Sequence, residues 1–119
     1  MKLTVHWKDL PASPELRERL ERRLGFALGR FGSRVRAVWA RLSDENGPRG
    51  GIDKCCKLRL RGEELGPLTV EASDSDLGAA IDRAADRLGR AVARVVERGR
   101  SFGGGERNTP RRGGGESSG

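Results

Sequence analysis

The stretch from Ser73 to Arg100, SDSDLGAAIDRAADRLGRAVARVVERGR, carries two patterns at one spacing, and together they constrain the fold more than any other feature of the chain. Leu77, Ile81, Ala84, Leu88, Val92 (or Ala91) and Val95 recur at steps of three and four, which sets them along one side of an α-helix. Arg83, Arg87, Arg90, Arg94 and Arg98 recur at steps of 4, 3, 4 and 4, which makes a cationic ridge. A helix this one-sided must lay its apolar stripe on another apolar surface, leaving the ridge to water or to something anionic. Asp74 or Ser75 is placed to cap its start.

The surface it needs is written in four shorter segments. KLTVHW alternates, with Leu3, Val5 and Trp7 on one face and Lys2, Thr4 and His6 on the other, as a half-buried strand does. RVRAVWARLS reads as a second strand with Val38, Ala40 and Leu42 inward, and DKCCKLRLRG as a third with Cys56, Leu58 and Leu60 inward. LTVEAS is the fourth, with Leu68, Val70 and Ala72 inside. Between the first two strands, Ser13 as N-cap, Pro14 at the first helical position and Glu15 in the first turn open a helix. Its stripe is Leu16, Leu20, Leu24, Leu28 (or Ala27) and Phe31, and Gly32 is expected to end it in the left-handed conformation. DENGPRGG, from Asp44, is a loop by composition. The order β-α-β-β-β-α predicts an α+β two-layer sandwich, two helices packed on one face of a four-stranded sheet.

The chain of 119 residues suits one domain, predicted over residues 1–100. Residues 101–119, with seven glycines and almost nothing apolar, are expected to form a flexible tail rich in Gly, Arg and Ser. Such a tail either solubilises the chain or touches RNA weakly. Lys and Arg number 24 against 17 Asp and Glu, a net +7 that favours RNA, DNA or an acidic membrane surface as partner. Nearly all that positive charge is arginine, which fits phosphate recognition and fits a GC-rich genome equally. A membrane reading is the weaker one, because the apolar stripe of the last helix holds no aromatic residue and the sheet needs it.

Chemistry of the catalytic kind finds little footing. His6 is the only imidazole and lies on the polar face of its strand, as a surface histidine. The adjacent Cys55 and Cys56 should point to opposite faces, one buried and one exposed, with no base nearby to make either a nucleophile. They form no disulfide framework, and with one histidine a metal site is not expected; nor is any cofactor or small-molecule substrate. No run reaches membrane-spanning length and no signal peptide opens the chain, so a reducing cytoplasm is the expected setting. Glu15, Glu18, Glu21, Asp82, Asp86 and Glu97 sit among arginines on helix surfaces, where solvated ion pairs explain them.

Two surfaces remain as candidates. The first joins the ridge to Arg17, Arg19, Arg22, Arg23 and Arg30 of the first helix as one basic platform, provided both helices lie on the same side of the sheet. Phosphate contact asks only for such an array, though a solvated helix face produces the same pattern. The second is the outer face of the sheet, where Trp39, Arg41, Lys57 and Arg59 project beside Thr4 and Thr69. A tryptophan among cations can stack on an unpaired base, or simply shield an open sheet.

The element order, SPELRERLERRL after the first strand, and DLGAAIDRAADRLGRAVAR after a strand ending VEAS resemble the ribosome hibernation-promoting factors over about residues 1–100. That family includes the ribosome-associated inhibitors and is also known as the sigma-54 modulation proteins. The resemblance implies a fold similar to double-stranded-RNA-binding domains and a non-enzymatic role. It implies binding to the small ribosomal subunit and its rRNA near the decoding centre, over the path of mRNA and the A- and P-site tRNAs. Idle ribosomes are thereby held inactive in stationary phase or stress. The basic helix positions of the family map onto Arg87, Arg90, Arg94 and Arg98, with Arg23 and Arg17 on the first helix; at Arg83 the family need not be basic. Where the family often has an aromatic residue after the Asp that opens the last helix, this chain has Leu77 and Gly78. Long members carry a second, C-terminal domain that joins two ribosomes, and the nineteen residues from 101 are too few for it. The competing expectation is a general structured-RNA or DNA-binding module without ribosome specificity.

Overall fold

The computed structural model describes residues 1–45 and 54–103, with side chains through residue 99. β1 (Lys2–Lys8), α1 (Pro14–Leu28), β2 (Val35–Asp44), β3 (Lys54–Gly62), β4 (Leu68–Asp74) and α2 (Leu77–Gly103) follow one another in the expected order. The loop expected from Asp44 lies outside the described residues from residue 46, and so does the tail from residue 104; α2 itself runs on to Gly103.

The strands form one sheet in the order β1-β2-β3-β4. β1 and β2 run parallel because α1 carries the chain back between them, while the later pairs are antiparallel. Register sets Leu3 beside Val38, Val5 beside Ala40 and Trp7 beside Leu42, so the apolar sets of neighbouring strands share one face. Val38, Leu42, Cys56, Leu58 and Leu60 on that face are fully buried, whereas Leu3, Val5, Leu68 and Val70 on the edge strands are half-buried. Leu20, Leu24 and Leu28 of α1 and Ile81, Ala84, Leu88 and Val92 of α2 close over it in a single core.

The helix ends show how local chemistry sets the frame. The Leu16 N–H donates to Ser13 Oγ at 3.2 Å, with Pro14 in the first turn as expected. The cap of α2 is Asp76 rather than Asp74 or Ser75: Asp76 Oδ2 accepts from the Ala79 N–H at 3.0 Å. Asp74 instead accepts the Asp76 N–H at 3.0 Å, shaping the turn that delivers the cap. Gly32 does not take the left-handed position. α1 tightens at Gly29 (φ −55°) into a 3₁₀ turn, Gly29–Arg34, that buries Phe31 and leads directly into β2. At the far end of α2 the buried residue is Val96, not Val95, because the element covering it there is this turn, where Phe31 and Val96 line one concavity.

The two helices touch at a small-residue contact. A Cβ on Gly89 would stand 3.0 Å from the Ala27 carbonyl oxygen and 3.1 Å from its Cβ, so any larger residue must push Ala27 back by a few tenths of an ångström. Gly25, in the middle of α1, has nothing within 4 Å. The two glycines should therefore respond oppositely to alanine. Gly25→Ala should gain about 0.5–1 kcal/mol, the usual helix benefit. In Gly89→Ala the clash with Ala27 should cancel that gain and leave the protein up to about 2 kcal/mol below the parent, since crowding a packed contact costs about 1–3 kcal/mol. Urea midpoints of the two variants check this.

Candidate nucleic-acid interface

With both helices on one side of the sheet, their outer surfaces lie side by side, and the arginines there fall into two groups. Some are held by the protein itself. Arg19 donates two hydrogen bonds to Asp82, at 3.1 and 2.6 Å, and Arg23 stands 3.3 Å from the same carboxylate, so Asp82 of α2 ties down two cations of α1. The Arg19 guanidinium lies so close over Gly78 that a Cβ there would fall 2.7 Å from Nη1. Arg83 and Arg87 lean over the sheet edge, donating to the Ser73 carbonyl at 3.3 Å and to the Glu71 carbonyl respectively. They thereby cover part of edge strand β4. Arg90 pairs with Asp86 at 2.9 Å, but both are more than half exposed, and such a pair yields readily to a stronger anion.

The others meet no carboxylate among the described residues, although the Arg30 guanidinium lies 4.8 Å over the Phe31 ring. Arg22, Arg30, Arg94 and Arg98 are exposed and form no ion pair with a described residue. Of the six helix positions expected to contact RNA, Arg90, Arg94 and Arg98 share the outer surface of α2, and Arg23 lies at the seam between the helices. Arg87 sits toward the β4 edge. Arg17 lies apart, on the flank of α1 that faces β1, where it donates to the Leu3 carbonyl at 3.4 Å.

Phe26 is the residue that pattern reading passed over. It is 88 % exposed, and it lines one concavity with Arg30, Gly89 and Arg90 and another with Arg22 and Arg23. The fold thus stands an apolar ring in water between the arginines of the two helices. The signal was present: Phe26 falls two positions past Leu24 and two short of Leu28, off the buried stripe and within an arginine-rich run.

On the other face of the sheet, Trp39, Arg41, Lys57 and Arg59 come together as expected, with Thr4 and His6 completing the same concavity. The cysteines depart from expectation. Cys56 is buried, but so is Cys55, which points to the outer face between its cross-strand neighbours Ser43 and Ser73 and donates its S–H to Glu71 Oε2 at 2.9 Å. Burial, reinforced by that bond, pushes the Cys55 thiol up, and burial pushes Cys56 up to about 12. Neither supplies a thiolate at neutral pH. Among the described residues no three His, Cys, Asp or Glu side chains are grouped to hold a metal ion, and no helix is long and apolar enough to cross a membrane.

The chain is thus a two-layer α+β domain with arginines and one exposed aromatic ring on its helix side. The model of the family described as sigma 54 modulation protein / S30EA ribosomal protein matches residues 3–100, and the chain belongs to that family. Among solved structures it is similar to the N-terminal domain of Protein Y from Thermus thermophilus, at 25 % identity and a TM-score of 0.66, covering 79 % of this chain and 98 % of that one. It shares its fold with a ribosomal subunit interface protein from Coxiella burnetii, at 13 % identity and a TM-score of 0.71, covering 82 % and 99 % of the two chains. None of the curated proteins matches the chain in sequence.

The Asp82 clamp has a pH signature. The hydrogen bonds from Arg19, with the charges of Arg19 and Arg23, hold its carboxyl below the usual carboxylate range. A lowered folded-state value means the stabilisation is complete above the unfolded-state value, about 3.9, and is lost as pH falls through the folded one. Asp82→Asn should therefore be less stable than the parent at neutral pH, and the two should converge at acid pH where Asp82 is protonated. Chemical denaturation of both proteins across that range measures it.

Proposed function

We propose that the chain is a ribosome-associated hibernation factor. It binds rRNA of the small subunit near the decoding centre through the helix side and blocks the path of mRNA and tRNA in idle ribosomes. The observation that carries this reading is the helix surface itself: Arg22, Arg30, Arg94 and Arg98 with no ion pair to a described residue, Arg90 in an exchangeable pair, and Phe26 among them. Family membership supplies the ribosome, since its description names a ribosomal protein and a structural neighbour is called a ribosomal subunit interface protein. Arg23 and Arg87 border the contact, each able to shift from its internal acceptor to a phosphate. Arg17, on the far flank of α1, contributes least. The site then works by charge and shape, neutralising phosphates of a folded RNA without reading its bases. It needs no cofactor, and the setting is the cytoplasm. Residues 1–100 carry the binding.

The double variant Arg90→Glu with Arg94→Glu tests the assignment. Both side chains are exposed and neither supports the core, so the unfolding free energy from urea denaturation should stay within about 0.5 kcal/mol of the parent, as for surface changes generally. Binding to small subunits should be abolished. If about five phosphates are contacted, log affinity should fall against log salt with a slope of roughly −3.5 to −4.5 in the parent. Undiminished binding by the folded double variant would remove the helix side from the interface. Equal affinity for unrelated duplex RNA would favour a general nucleic-acid module.

A further inference from the structure

The face of the sheet turned away from the helices is a second cationic surface, and the helix-side reading leaves it unused. Register places Lys2, Lys8, Arg41, Lys57, Arg59 and Arg61 on this side. All of these are exposed and none forms an ion pair with a described residue. The acid that register places among them, Glu71, already accepts the Cys55 thiol proton. Arg41 stands directly across from Lys57, and like charges at that position destabilise a sheet. On the helix side the protein supplies Asp82, Asp86 and backbone carbonyls to its arginines; here, among the described residues, register supplies one acid, Glu71, across from Lys57, to six cations. At the centre Trp39 is 41 % exposed, with Thr4 on one neighbouring strand and Arg59 on the other.

We propose that this face binds a single-stranded segment of RNA, with one unpaired base stacked on Trp39 and the flanking phosphates over Arg41, Lys57 and Arg59. The domain would then hold RNA on both of its layers, a structured region on the helices and an unpaired strand on the sheet. The chemistry selects this ligand in three ways. An open indole offers its ring to a base face, which a duplex keeps stacked inside and a single strand presents. The cations on the adjacent strands suit a backbone running across the sheet. The concavity at Trp39 holds about 250 Å³, below the roughly 300–1,000 Å³ of pockets that enclose small molecules. The proposal rests on the hibernation reading only in taking rRNA as the source of the strand.

The chain has two tryptophans and no tyrosine, so the variant Trp7→Phe leaves Trp39 as the reporter of its own surroundings. A short single-stranded oligoribonucleotide should quench its fluorescence saturably, with a salt slope of roughly −2 for three phosphates. Adding Arg41→Glu and Arg59→Glu should weaken that binding at least tenfold, whereas adding Arg90→Glu and Arg94→Glu should leave it unchanged. In otherwise native protein Trp39→Leu should weaken small-subunit binding by about tenfold or more, the effect of losing one stacked base. No quenching by the single strand would overturn the proposal even if subunits still bind through the helices, and quenching without subunit binding would overturn only the ribosomal reading. An equal response to duplex RNA would show that no unpaired base is required, and an equal response to polyglutamate would show a surface for acidic protein; either result refutes it.

Discussion

A sheet with one apolar face needs a cover, and two helices that touch each other provide it. The close contact of Gly89 with Ala27 lies at the seam of that cover. It sets α1 and α2 side by side over Val38, Leu42, Leu58 and Leu60, with Leu24 and Leu88 reaching the same core. Their outer faces then become one surface instead of two. Larger residues at this seam would part the helices, open the core and separate the arginines of α1 from those of α2.

Concentrating cations on neighbouring helices raises a problem of self-repulsion that the fold answers locally. Asp82 holds Arg19 and Arg23, the carbonyls of Ser73 and Glu71 take Arg83 and Arg87, and Asp86 takes Arg90. Each of these contacts is partly exposed, so each stabilises the fold modestly and can be exchanged for a phosphate without breaking it. The cations left over therefore mark where an outside anion is expected: the α1–α2 surface around Phe26, and the outer sheet face around Trp39.

The strands and helices were legible because each carries a clean period of two or of about 3.6, and because Ser13 and Pro14 announce a helix start locally. The misreadings share a cause: tertiary context decided them. Asp76 caps α2 because Asp74 is engaged in shaping the preceding turn. Gly32 keeps out of the left-handed region because burial of Phe31 holds a 3₁₀ turn in its place. Cys55 is covered although it points outward, since strand alternation gives direction and not depth. The candidate site was legible as a list of arginines but not as a surface. Spacing alone could not tell that Arg17 faces β1, that Asp82 holds two cations, or that Phe26 stands in solvent.

The central claim is that this protein recognises the small ribosomal subunit as a shaped polyanion, and co-sedimentation with separated small and large subunits at low and moderate salt tests it most directly. Saturable binding to small subunits alone, persisting at moderate salt and displaced by mRNA with tRNA, is the expected result. Equal binding to both subunits and to bulk RNA, vanishing together as salt rises, would contradict it.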